Sequence, residues 1–313
     1  MEDGIVGFVL SLISLIHGSF GSVISILIFL LLIFYQYKND LKKEERINLF
    51  LFTTIYFYLF IYILTLTSFN IQTILGDLYG MNFNSSWCTF RGYLIPVSCS
   101  ALYQTFVIQA FFRLCRIVYS TRRWLQFFWF YVLFLPIELM FASVLLCPIL
   151  IWKDIDYSFE DNYCFVPLSK ARGIIWLVFT TYAIPLMILF LIYIRIIIYI
   201  RHLPTNQPIA MRRRQKRDLI AIQRICINIS LLLILVIPGT ILILMKLLGG
   251  IDYPLTYRIL WLGVEISVAI LTIEMIFTTP QLKNIFLKRF RQNRVATLIQ
   301  STQRELANTN TNH

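Results

Sequence analysis

The sequence predicts an all-α membrane protein: a seven-transmembrane helix bundle with a short amphipathic helix after the seventh span. Three observations carry this reading. The 313 residues are 58% hydrophobic and only 14% charged, where a soluble domain carries about 25% charged residues. The apolar residues fall into seven runs of about the length a bilayer needs, roughly 20 residues each. The basic residues gather in alternate loops between those runs. Mean hydropathy is +0.72. Runs such as "SILIFLLLIF" are continuous, without the alternation of a membrane β-barrel strand.

The spans follow in order. Uncharged runs cover residues 4–37, 47–76, 92–112, 173–194 and 225–245. Two further runs qualify with acids inside: 124–152 holds Glu138, and 259–282 holds Glu265 and Glu274. The predicted helices are about 7–35, 47–72, 88–118, 124–151, 171–202, 218–246 and 256–279, all within one domain, 7–279. Residues 1–6 form a short N-terminus ahead of it. The first run is too long for the apolar core of a cleavable signal and has no basic residue before it, so it reads as a signal anchor. After Pro280, apolar Leu282, Ile285, Phe286 and Phe290 interleave with Lys283, Lys288 and Arg289. That pattern predicts an interfacial helix over 280–292. The polar tail 293–313, ending "STQRELANTNTNH", is expected to be disordered.

Orientation comes from Lys and Arg, which favour the cytoplasmic side. Segments 36–46, 113–123, 195–224 and the tail after 280 hold 22 of the 28 basic residues. The N-terminus is therefore expected outside and the C-terminus in the cytoplasm, in the plasma membrane. The net charge of +12 is mostly cytoplasmic loop charge and needs no nucleic acid to explain it. Cys88, at the mouth of span three, and Cys164, in the acidic loop "WKDIDYSFEDNYCF", both face the oxidising side, where a disulfide persists. Cys147 is an alternative partner, and two free thiols are the other reading. Asn84 opens the sequon "NSS" on the same side. Asn228 opens "NIS" inside span six and is expected to stay silent.

Cys88 and Arg113 are 25 residues apart, Pro185 and Tyr193 in "YAIPLMILFLIY" are eight apart, Pro238 stands in "LVIPGT", and "TTPQLKNIFLKRF" follows the last span. Together these residues resemble the rhodopsin-like (class A) G-protein-coupled receptors, as a divergent member, over nearly the whole chain. The first spacing is the family's between its helix-three cysteine and the arginine of Asp-Arg-Tyr, and the second is that of helix five. Pro238 matches the kinking proline of helix six, and the last stretch resembles the one after helix seven. Prolines are common in membrane helices, so the weight lies in several matches in order. The family's motifs are also broken. Asp-Arg-Tyr reads Phe112-Arg113-Leu114, the helix-six tryptophan is Val236, and Asn-Pro-x-x-Tyr aligns with Leu271–Met275. Tyr58 stands where a helix-two aspartate would fall.

The resemblance implies a receptor passing an extracellular signal to a heterotrimeric G protein, with arrestin a candidate second partner through the tail. It implies no cofactor and no enzymatic activity. Ile95 occupies the counter-ion position of amine receptors, and Glu265 the lysine position of opsins. An amine or retinal ligand is thereby disfavoured, leaving a peptide, a lipid or a chemosensory molecule. Ile95, Cys99 and Glu265 are the expected ligand pocket. An acid inside a membrane marks a function by default; the alternative is that Glu265 pairs with Gln104, His17 or another helix. Arg113, Asp218 and Tyr193 are the expected switch: Arg113 and Asp218 clamp the resting state and Tyr193 meets Arg113 in the active one. In the plainer reading Asp218 only neutralises Arg214 or Arg217. Other classes are a seven-helix transporter or channel, or a receptor-like chain that no longer signals. With only three histidines and no nucleophile–base pair, the chain offers an enzyme or a metal site little.

Overall fold

A computed structural model describes residues 2–38, 43–119, 122–202 and 255–278, with single positions at 230, 237, 241, 244 and 245. By its contacts the chain divides into two units, Met1–Thr272 and Ile273–His313. Among the described residues of the second are only the last turns of one helix. Predicted span six, with Asp218 and Pro238, lies outside the described residues apart from those single positions. So do the amphipathic helix after Pro280 and the tail.

The described helices are α1 (Glu2–Lys38), α2 (Lys43–Tyr79), α3 (Ser86–Ile117), α4 (Phe128–Ile151), α5 (Ala171–Arg201) and α6 (Thr256–Thr278). All six are long and apolar enough to cross a membrane. α6 corresponds to predicted span seven. Helix α1 begins at Glu2, so most of the expected N-terminal segment is itself helical.

The buried face of α1 is Gly7, Ser11, Ser14, Gly18, Gly21, Ser25, Ile28 and Leu32, spaced by three and four. Small residues at that spacing let helix backbones approach closely in lipid, where no hydrophobic force drives association. A Cβ on Gly18 would stand 2.6 Å from Thr67 Oγ1 of α2, and one on Gly21 would touch Ile63 and Ala269. The stripe therefore seats α1 against α2 and α6. The opposite face presents Ile5, Ile16, Phe20, Val23, Leu27 and Leu30 exposed, as a lipid-facing surface requires.

Helix α2 carries Glu44 and Glu45 in its first turn, where the helix dipole favours acids. It ends at Gly80, whose φ of +62° lies in the left-handed region that glycine enters at no steric cost. The Gly80 N–H bonds back to the Gly76 carbonyl at 2.8 Å, closing the last turn in the left-handed cap. Ser85 caps α3, its Oγ accepting from the Cys88 N–H at 3.2 Å.

Helix α3 is the centre, packed against α2, α4 and α5. At one end Ile47, Leu51, Ile108, Phe112 and Tyr131 form an apolar cluster joined by Phe128, Phe130 and Phe134. Helix α4 starts at Phe128 rather than at the expected 124, because Arg123–Gln126 forms a 3₁₀ turn. The Tyr131 hydroxyl donates to the Leu125 carbonyl at 2.8 Å and pins that turn.

Helix α5 consists of Ala171–Val178, a π turn over Phe179–Ala183, and Ile184–Arg201. Pro185 explains the wide turn: proline has no N–H to give and its ring crowds the carbonyl four residues back. One extra residue in the turn relieves both, and the Ile184 N–H reaches Phe179.

The loop before α5 departs from a purely helical fold. β1 (Asp156–Ser158) and β2 (Tyr163–Phe165) pair antiparallel, with Tyr157 opposite Cys164. Asn162 turns the hairpin at φ +59°, a conformation asparagine tolerates better than most residues.

Candidate functional site

The polar side chains fall into three groups: a pinned loop at one end, acids within the bundle, and arginines at the other end.

At the first end Cys88 and Cys164 form a disulfide, with Cα atoms 5.5 Å apart. It ties β2 to the first turn of α3. One turn on, Gly92 lies under the Cys164 carbonyl, which any Cβ there would strike. Cys147, the alternative partner, is a free thiol. The Arg258 guanidinium of α6 takes Asp77 at the end of α2 in a fork, 2.7 and 3.0 Å. It also reaches Asp161 at 3.3 Å and the Glu160 carbonyl at 3.1 Å. The Asp161 carbonyl accepts from Thr73 at 2.6 Å. Burial pushes the Asp161 carboxyl above the ordinary aspartate range, against the pull of Arg258. Tyr163 stacks on Phe69 at 5.1 Å and accepts from Trp261 Nε1 at 2.9 Å; burial drives its phenol well up. The Leu168 N–H donates to Tyr257 at 2.7 Å. The loop is thus a lid held by α2, α3 and α6 together. Asn84 is exposed on the neighbouring loop.

Within the bundle, Glu265 of α6 is 2% exposed. Asn70 Nδ2 of α2 donates to its Oε1 at 2.6 Å, and Gly18 of α1 makes room for both oxygens. Among the described residues the Oε2 atom has no hydrogen-bond partner. Asn70 is the partner, in place of Gln104 or His17. Gln104 donates to Ser100 at 3.2 Å, and the His17 ring lies 2.9 Å from the Ile13 carbonyl. Ile95 is buried on α3. Cys99, one turn further, gives its thiol to the Tyr182 hydroxyl at 3.6 Å. Tyr182 packs edge-on against Tyr103 with ring centres 5.2 Å apart. A second acid, Glu138 of α4, accepts from Thr105 of α3 at 2.9 Å. Tyr58 turns towards α4 and donates to the Leu135 carbonyl at 3.2 Å.

At the far end Arg113 is 6% exposed on α3 and Tyr193 is 7% exposed on α5, the helices that pack together there. Asp218 lies outside the described residues, as does Pro238. The next turn of α3 offers Arg116, which pairs with Glu44 of α2 at 3.3 Å. Pro185 is buried beside the π turn. Among the described residues no three His, Cys, Asp or Glu side chains converge to hold a metal ion.

Sequence reasoning alone passed over Asn70, Thr105 and the Arg258–Asp77–Asp161 group. Asn70 and Thr105 carried a weak signal, as hydrogen-bonding side chains inside apolar spans. The arginine group carried none, because its members are 77, 161 and 258 in the chain and meet only through the fold.

Compared with known proteins, the chain matches no family model and no curated sequence.

Proposed function

We propose that the chain is a divergent rhodopsin-like receptor that passes an extracellular signal to a heterotrimeric G protein across the plasma membrane. The observation that supports it is the construction of α3. This one central helix is tethered by Cys88 to the lid hairpin. Twenty-five residues on, it carries Arg113 buried at the other end. A ligand pressing on the lid or on the interior beneath it acts on the same rigid helix that carries the arginine. The lid end is then extracellular and the arginine end cytoplasmic.

The ligand meets the bundle below the lid, where Ile95, Cys99 and Glu265 lie on α3 and α6. Among the described residues one oxygen of Glu265 has no partner, which gives a donor group of the ligand a place to bond. A peptide, lipid or chemosensory molecule fits this role. At the other end Arg113 meets the G protein once its resting contacts release, with Asp218 as resting partner and Tyr193 as active partner.

A second reading, a seven-helix transporter, draws on the two acids buried among apolar helices, since such groups also serve as carriers for ions or protons. Co-expression with a panel of G proteins separates the two. Basal or extract-stimulated nucleotide exchange above an empty-membrane control is expected. Solute flux without exchange would replace the receptor with the transporter.

A further inference from the structure

A groove lies between α3, α4 and α5, away from Glu265 and the lid. Its volume is about 260 Å³, and its walls include Ile108, Phe141, Leu145, Thr180 and Ile188. Glu138 also lines it, though that residue as a whole is only 4% exposed. The mouth is formed by Ile137, Phe141 and Ile188, which are 46%, 56% and 39% exposed on the outward faces of α4 and α5. One wall carries Thr180 of the π turn and Pro185. Single π turns inside membrane or soluble helices occur frequently at functional sites.

The groove's chemistry is lopsided. Its surface is almost wholly apolar, and the acid Glu138 is among the residues that line it. Thr105 donates to Glu138 Oε2, but a carboxyl has capacity for several bonds. Burying a polar group against hydrocarbon is costly unless that capacity is met. A lipid tail filling the groove offers the carboxyl nothing. A phospholipid headgroup belongs at the bilayer surface, while Glu138 lies near the middle of the 24-residue α4. The volume is roughly nine times the ~30 Å³ share of a liquid water molecule, which is room for a body of about ten heavy atoms.

We propose that this groove is a binding site, entered from the bilayer, for a small amphiphile. Its apolar body lies between α4 and α5, and its single hydroxyl or amino group donates a hydrogen bond to Glu138. The site is separate from the proposed ligand pocket and stands whether or not the chain couples to a G protein. An occupant would wedge the π turn of α5 against α3, the helix that carries Arg113.

The test uses the full chain in phosphatidylcholine nanodiscs with a diazirine-bearing octanol as photoprobe, read by peptide mass spectrometry. Saturable labelling is expected on 134–145 and 184–188. 1-Octanol or octylamine should protect about tenfold better than n-octane, the margin of one hydrogen bond to a carboxyl group. Glu138→Leu should erase the advantage of the alcohol and amine over the alkane. Ile188→Trp, at the mouth and clear of Thr105, should block labelling while melting as the wild type does, so the proposal stays testable even if Glu138→Leu misfolds. Protection by octanol but not octylamine would identify the donor as a hydroxyl, and the reverse as an amine; both support the site. Non-saturable labelling equal to that on the exposed face of α1, or equal protection by octane and octanol, would overturn it.

Discussion

Replacing Arg258 with Ala removes the group that joins α2, α6 and the lid loop. Its guanidinium side chain is 10% exposed, Asp77 is 21% and Asp161 is 4%. An exposed pair contributes about 0–1 kcal/mol, whereas removing one partner of a buried pair costs about 3–5 kcal/mol, because the other charge is left behind without compensation. Asp161 belongs to the second case and Asp77 lies nearer the first, so a loss of about 3 kcal/mol is expected. At roughly 2 °C per kcal/mol for a chain of this size, the melting temperature should fall by about 6 °C. The assay is thermal unfolding of purified protein in detergent, followed by tryptophan fluorescence. Trp261 lies beside the lid and should report its release early. Adding Asp161→Ala to Arg258→Ala should recover part of the loss, since the stranded charge goes with it. A fall under about 2 °C, or strictly additive losses in the double variant, would refute the clamp.

Cys88→Ser opens a covalent link across 76 residues of sequence, which constrains the unfolded chain by about 4 kcal/mol in the entropy account. Surface expression should fall, and mass spectrometry should find Cys164 alkylatable. Gly18→Leu forces a side chain against Thr67 and Glu265, and overpacking of this kind costs about 1–3 kcal/mol; the melting temperature should drop, while Gly4→Leu, where nothing lies within 4 Å, should leave it unchanged. Asp161 holds its proton more tightly folded than unfolded, because burial raises its pKa. Its contribution therefore shrinks as pH rises through the acid range. The wild type's melting temperature, relative to Asp161→Asn, should decline from pH 3.5 to 6, and a rise would show that Arg258 dominates.

The six described helices were legible in the sequence because lipid enforces length and apolarity on each one alone. Spans 47–72 and 256–279 extend or trim by a few residues as α2 and α6, since helix ends are set by caps such as Gly80 rather than by hydropathy. The 3₁₀ turn before α4 and the π turn in α5 escaped it. Both are local departures that leave hydropathy untouched, though Pro185 marked the place of the second. The small-residue stripe of α1 was in plain view at positions 7, 11, 14, 18, 21 and 25. It reads as packing only when small size, rather than apolarity, is taken as the signal of a membrane interface. The site was legible in part. Cys88, Cys164 and Glu265 stood out by chemistry, but their surroundings did not. Asn70 reaches Glu265 across 195 residues of sequence, and Asp77 reaches Arg258 across 181, distances that no local pattern spans.

The most direct measurement of the account's central claim is nucleotide exchange on purified heterotrimeric G proteins by the chain in lipid nanodiscs, wild type beside Arg113→Ala. Both must retain the Cys88–Cys164 bond and the same melting temperature to within about 2 °C. The account predicts exchange above the empty-disc rate for the wild type with at least one G protein, and a return to that rate for Arg113→Ala. Exchange that survives Arg113→Ala undiminished would contradict it.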